Sequence, residues 1–239
     1  MTATIAYACL IGLLGGLVRG TTGFGAAMVM TPLLALLLGG STAVPLSLML
    51  EAFAAATMLR AAWLIARWRV IAPICVAAAC TVPIGGYLLR AASAGTLRAA
   101  IAITVIVFSL AMLSGYRYHG PQRVSTSMAL GALSGTMLGA TSIGAPPVIL
   151  YLLSGSDPIA VTRANLTLYV VAISIFGLTM LAASDMITST VLHLTAWLFP
   201  CFVIGVTAGS KLFARFSDQR FRQFTIVFML LVAIWVLVA

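Results

Sequence analysis

The sequence predicts an all-α polytopic membrane protein built as two inverted repeats, each a broken-helix hairpin followed by three transmembrane helices. Three observations predict it. Of 239 residues, 62% are hydrophobic and 7% charged, and the mean hydropathy is +1.17; a water-soluble fold of this length cannot bury so much apolar surface. Apolar runs of about 15 to 23 residues, the lengths that cross a hydrocarbon core, follow one another from Thr4 to Ala239 with short polar breaks. The sequence also matches itself without a gap 119 positions further on. Gly12, Gly16, Gly20, Thr22, Gly25, Ala26 and Val29 recur as Gly131, Gly135, Gly139, Thr141, Gly144, Ala145 and Val148, and three leucines raise the matches to ten in the 23 positions from Gly12 to Leu34. The repeat divides the chain into residues 1–119 and 120–239, two units that close one structure.

Each unit opens with two short apolar pieces, Thr4 to Gly20 and Ala26 to Leu38 in the first, Ser127 to Ala140 and Ala145 to Leu153 in the second. At about 1.5 Å per residue the later pieces cannot cross a core of roughly 30 Å, so each pair reads as half-helices joined by an unwound loop. The longer segments are Thr42 to Trp63, Val70 to Leu89 and Ala99 to Ser114, then Val161 to Ala183, Thr190 to Phe213 and Phe221 to Ala239. The segment from Ala99 is the shortest of them.

Loop charges decide how the broken pairs run. If each is a hairpin returning to its starting side, Arg60, Arg67, Arg69, Arg117, Arg123, Arg163, Lys211, Arg215, Arg220 and Arg222 share one side and only Arg90 and Arg98 the other. That segregation is what short cytoplasmic loops require. If each pair crossed once, the bias would largely vanish. The hairpin reading places both termini outside the cytoplasm. It also explains the net charge of +9 by topology, with anionic lipid headgroups as contacts and no nucleic acid as a partner. Cys9, Cys75, Cys80 and Cys201 lie in apolar segments without metal or redox spacing and read as small hydrophobes, so no metal or cofactor is expected. No basic region precedes Arg19, so the first helix is expected to stay rather than be cleaved.

Unwound backbone inside a bilayer must be buried in protein or line a wet cavity. The candidates are Thr21, Thr22, Gly23, Phe24, Gly25 and Ala26 in the first repeat and Thr141, Ser142, Gly144 and Ala145 in the second. The helix after each turn aims free N–H groups and a positive dipole end at the protein's centre, an arrangement that attracts anions. Pro146 and Pro147 stand at a helix start, where missing N–H groups do little harm. The glycines spaced by four before each turn read instead as packing stripes.

Arg19 precedes the last glycine of the first stripe, and its counterpart is Leu138. A buried guanidinium wants a bidentate acceptor: Arg19 clamps an oxyanion, or it neutralises the carbonyl end of its own helix. Glu51, the one acid well inside a span, is a proton-coupling candidate or a structural partner of Arg19, and both readings stand. Ser47 and Asn165 occupy near-equivalent places in the two repeats and are weaker candidates for the centre. His119 and His193 read as solvated or structural, and Trp63, Trp68, Trp197 and Trp235 as interface anchors or packing. Ser134 and His193 raise an intramembrane hydrolase, a weak reading because no base stands near the serine.

Thr22-Gly-Phe-Gly-Ala-Ala and Thr141-Ser-Ile-Gly-Ala-Pro-Pro-Val-Ile-Leu-Tyr-Leu-Leu resemble the two turns of the TauE/SafE sulfite-exporter family, which reads GFGGG-like in the first and GIGGG- or GIGGPP-like in the second. The resemblance covers both halves. Ala26 and Ala27 replace usual glycines here, as does Ser142. The resemblance implies a transporter, not an enzyme, exporting sulfite or organosulfonates such as sulfoacetate across a bacterial-type inner membrane. The expected mechanism is alternating access about the two turns; a channel or a carrier of another small anion is the alternative.

Overall fold

The computed structural model describes residues 2–22, 25–56, 59–115, 123–153, 157–215 and 219–238. These residues form eleven helices and no strand: α1 (Thr2–Thr22), α2 (Ala26–Leu38), α3 (Gly40–Ala56), α4 (Leu59–Ile65), α5 (Trp68–Ala91), α6 (Ala94–Leu113), α7 (Val124–Thr141), α8 (Ala145–Leu153), α9 (Ile159–Ala183), α10 (Ser189–Arg215) and α11 (Gln219–Val238). Among them, Ala3–Thr21, Trp68–Ala91, Ala94–Leu113, Ala164–Ala183 and Ser189–Leu212 are long and apolar enough to cross a membrane. The chain is a polytopic membrane protein.

Both opening pairs fold back as hairpins. In a straight helix, Ser127 and Tyr151 would stand about 36 Å apart; their hydroxyls are 2.9 Å apart. Nearer the turn, Ser134 Oγ donates to Gly144 O, so α8 runs back along α7. In the first half Gly15 lies against Met30, and Gly25 against Val18, so α2 runs back along α1. The structure corrects one expectation: α1, at 21 residues, is no half-helix but long enough to cross alone, and only α2 and α8, at 13 and 9 residues, are short. Nine of the thirteen residues of α2 are buried, as an all-apolar helix demands.

A second correction concerns α6. It begins at Ala94, five residues before the expected start, because the Ser93 hydroxyl accepts the Thr96 N–H at 3.2 Å and caps the first turn. The helix absorbs Arg98 and reaches 20 residues, so this span is full-length rather than the shortest. Within the expected Thr42 to Trp63 span, the described residues are helical on both sides of positions 57–58, as α3 and α4.

The glycine stripes are packing seams. Gly12, Gly16 and Gly20 of α1 lie successively against Leu198, Phe202 and Val206 of α10, so the two helices run parallel. Gly131, Gly135 and Gly139 of α7 lie likewise against Ile74, Ala78 and Val82 of α5. Each half therefore docks its first helix on a span of the other half. Without side chains at the crossing, backbones approach closely, which is how helices gain contact where no hydrophobic force separates protein from lipid.

Contacts sort the loops to two ends of the bundle. At one end Gly40 packs on Leu97, and Arg90 shares a cavity with Ser184. At the other, Arg67 pairs with Asp157 and donates its backbone N–H to Asn165 Oδ1 at 2.8 Å. Trp63 and Trp68, both exposed, stack edge to face beside that end with centroids 4.5 Å apart, as interface anchors do. Asn165 is fully buried, so Asn165→Ala leaves the Arg67 N–H without its acceptor. The expected loss is about 1–3 kcal/mol, to be read as a lower thermal midpoint in detergent; an unchanged midpoint would show that water replaces the amide.

Candidate functional site

The described residues of the two turns, Gly25 in the first and Ser142, Ile143 and Gly144 in the second, are buried, as unwound backbone at membrane depth must be. Gly25 enters α2 with φ 84°, in the left-handed region that glycine alone occupies without cost. On the other side Ser142 takes the same region, with φ 60°. For a residue with a Cβ this costs roughly 1–2 kcal/mol. The hydroxyl retained at that cost lies 3.4 Å from Thr31 Oγ1 of α2, so the two hairpins meet there.

Between the turns is a cavity of about 30 Å³, more than the roughly 10–15 Å³ that one water molecule needs. Arg19, Gly25 and Ala27 line it from the first hairpin, Leu138, Ser142 and Gly144 from the second. Leu48 and Glu51 of α3 and Val170, Ile173 and Ser174 of α9 complete the wall. Arg19, 7% exposed, donates from Nη1 to Glu51 Oε2 at 2.9 Å. The other carboxylate oxygen, Oε1, accepts the Ala27 N–H at 3.0 Å. Glu51 thus ties the guanidinium of α1 to the positive end of α2. The remaining guanidinium donors, the Ser142 hydroxyl and the Ser174 hydroxyl, which is buried and has no partner, make the cavity rich in donors.

Of the residues singled out in the sequence, Arg19, Gly25, Glu51, Ser142, Gly144 and Ala145 line this cavity. Ala26 is buried one position before the lining Ala27. Thr21 and Thr141 do not reach it: their hydroxyls bond back to Leu17 and Val18 and to Met137 on their own helices. Thr141 Oγ1 also accepts the Ile143 N–H at 3.2 Å and so shapes the turn. Ser47 is buried elsewhere, and Asn165 holds the α4–α5 junction. Gly23, Phe24 and His119, and the Thr22 side chain, lie outside the described residues. Ser134, the hydrolase candidate, is committed to Gly144 O and to the Tyr169 hydroxyl, while His193 is exposed near the start of α10. Ser174 and Thr31 are the residues that sequence reasoning missed.

The sequence matches the family described as sulfite exporter TauE/SafE over residues 8–236. The chain belongs to that family. Its transporter character agrees with a multi-pass helical fold in which Arg19, Glu51, Ser142 and Ser174 line one cavity. Searches of curated proteins and of solved structures return no match. The family description names sulfite, a small oxyanion.

Proposed function

We propose that this TauE/SafE member exports small sulfur oxyanions, sulfite or organosulfonates such as sulfoacetate, by alternating access, with the anion held between the two hairpin turns. The observation that carries the reading is the convergence of Arg19, Ser142 and the orphan Ser174 hydroxyl on a cavity where two helix N-termini meet. Positive dipole ends and a guanidinium favour an oxyanion over any cation. The left-handed Ser142 supports it further, since strain held at a binding turn is characteristic of ligand sites.

Residues 1–119 and 120–239 serve in this reading as inverted repeats of one transport unit. The end bearing Arg60, Arg67, Arg69, Arg123 and Lys211 faces the cytoplasm, and both termini lie outside it, in a bacterial-type inner membrane. Moving alone, an anion leaves an inside-negative cell downhill by about 2.3 kcal/mol per charge at 100 mV. A dianion gains about 4.6 kcal/mol, on the order of a thousandfold gradient. Glu51 holds both Arg19 and the Ala27 N–H in this arrangement, so a rearrangement of the site must accompany loading.

The test is counterflow. Proteoliposomes loaded with sulfite, sulfoacetate, sulfate or chloride at zero membrane potential are expected to take up labelled sulfite faster when sulfite or sulfoacetate is inside. Flux without trans-stimulation would replace the carrier by a channel; trans-stimulation by chloride alone would replace the substrate.

A further inference from the structure

The carboxylate of Glu51 stands where an anion would go. It holds Arg19 through Oε2 and the Ala27 N–H of α2 through Oε1, the strongest anion-attracting groups on this side of the cavity. What remains free beside them is a cavity of about 30 Å³. An oxyanion cannot reach both donors while the carboxylate keeps them. The second half of the site has no such tenant: Leu138 stands 119 positions after Arg19, Pro146 has no N–H where Ala27 has one, and α9 lines the cavity with Val170, Ile173 and Ser174, none of them acidic.

Resting on the anion-site reading above, we infer that Glu51 is a tethered stand-in for the transported anion, displaced when the anion binds and protonated as it leaves. The arriving oxyanion takes Arg19 and the Ala27 N–H, with the Ser142 and Ser174 hydroxyls as further donors. The displaced carboxylate, having given up its cation, takes one proton from water. One anion and one proton enter together. A monoanion leaves the charge of the site unchanged, so its transport senses the pH gradient and not the membrane potential. Around Glu51, α1 presents Arg19, α2 the Ala27 N–H and α9 the Ser174 hydroxyl; α5, α6, α7, α10 and α11 bring no titratable side chain to the cavity among the described residues. Arginine keeps its proton throughout, so the proton count belongs to Glu51.

The experiment is calorimetric titration of the purified protein with methanesulfonate, a monoanion of fixed charge near neutral pH, in buffers of different ionisation enthalpy. Wild type is expected to take up close to one proton per anion bound, with affinity falling up to tenfold per unit rise in pH. In Glu51→Gln the uptake is expected to vanish and the affinity to become independent of pH, while Glu51→Asp, which keeps a carboxylate, retains uptake. With sulfite, which itself takes up a proton near neutral pH, the difference between wild type and Glu51→Gln is read. Binding to wild type without proton uptake, or equal uptake in Glu51→Gln, overturns the inference and leaves the anion site standing. Failure of folded wild type to bind either anion overturns the site itself. Should Glu51→Gln fail to fold, wild type and Glu51→Asp still decide.

Discussion

Arg19→Gln is expected to abolish anion binding and to cost about 3–5 kcal/mol of stability, because it strands the Glu51 carboxylate in the bundle interior without a cation. The two losses have different causes, and a second variant separates them. Glu51 is 8% exposed and keeps only the Ala27 N–H when the guanidinium is gone. Replacing both partners, as Arg19→Gln with Glu51→Gln, removes the uncompensated charge; exchanging a whole buried pair for neutral groups is often close to neutral in stability. The double variant should therefore recover most of the thermal midpoint in detergent and none of the counterflow. Leu138→Gln, at the counterpart position on the other cavity wall, adds a polar group without removing a charge and should weaken affinity far less. Recovery of transport in the double variant would show that Arg19 exists to satisfy Glu51 and not the anion.

Much of this architecture is written in residue pattern. The glycine stripes and the shortness of Ala145–Leu153 are local facts, and each translated directly into a seam or a hairpin. The start of α6 was not legible by hydropathy, since Ala94 to Arg98 is polar on average. Its signal was Ser93, whose spacing to Thr96 allows an N-cap. The full length of α1 was hidden because Thr2, Thr21 and Thr22 read as polar ends; the Thr21 hydroxyl bonds back to the Leu17 and Val18 carbonyls, which lets the helix continue past Gly20.

The site was legible where chemistry is rare and illegible where it is common. Two charges inside spans, Arg19 and Glu51, stood out against a chain with only four acidic residues, and they pair. Serines and threonines are frequent in such helices, and which of them faces the cavity depends on helix rotation. Asn165 and Ser174 lie on the same helix, α9, but nine residues, about 13 Å along its axis, separate the loop junction from the cavity wall. Thr21 and Thr141 close bonds to their own helices, a habit of hydroxyls in apolar surroundings.

Substitutions along one glycine stripe are expected to divide sharply, and the division tests how the two halves are joined. At Gly12 a Cβ would rest 3.5 Å from the Leu198 side chain, an ordinary contact, so Gly12→Ala should be tolerated. At Gly16 it would overlap Phe202 O and sit 3.0 Å from Val206 N and 3.1 Å from Gly205 Cα. Gly139 meets Val82 O in the same way, with Gly86 N at 2.8 Å. These obstacles are backbone, partly of glycines facing glycines, so no side chain can rotate aside and the helices themselves must part. Alanine at either position should cost about 1–3 kcal/mol by overpacking, and leucine should prevent docking and leave no monodisperse protein in detergent. Gly95→Ala, with open space around it, is the control and should stay within about 0.5 kcal/mol. Because α1 docks on α10 and α7 on α5, each seam joins the two halves of the chain. A stable Gly16→Ala protein that no longer transports would mean that the seam slides during the cycle. Loss of the fold together with transport would mean that it holds rigidly and that motion lies at the hairpin turns.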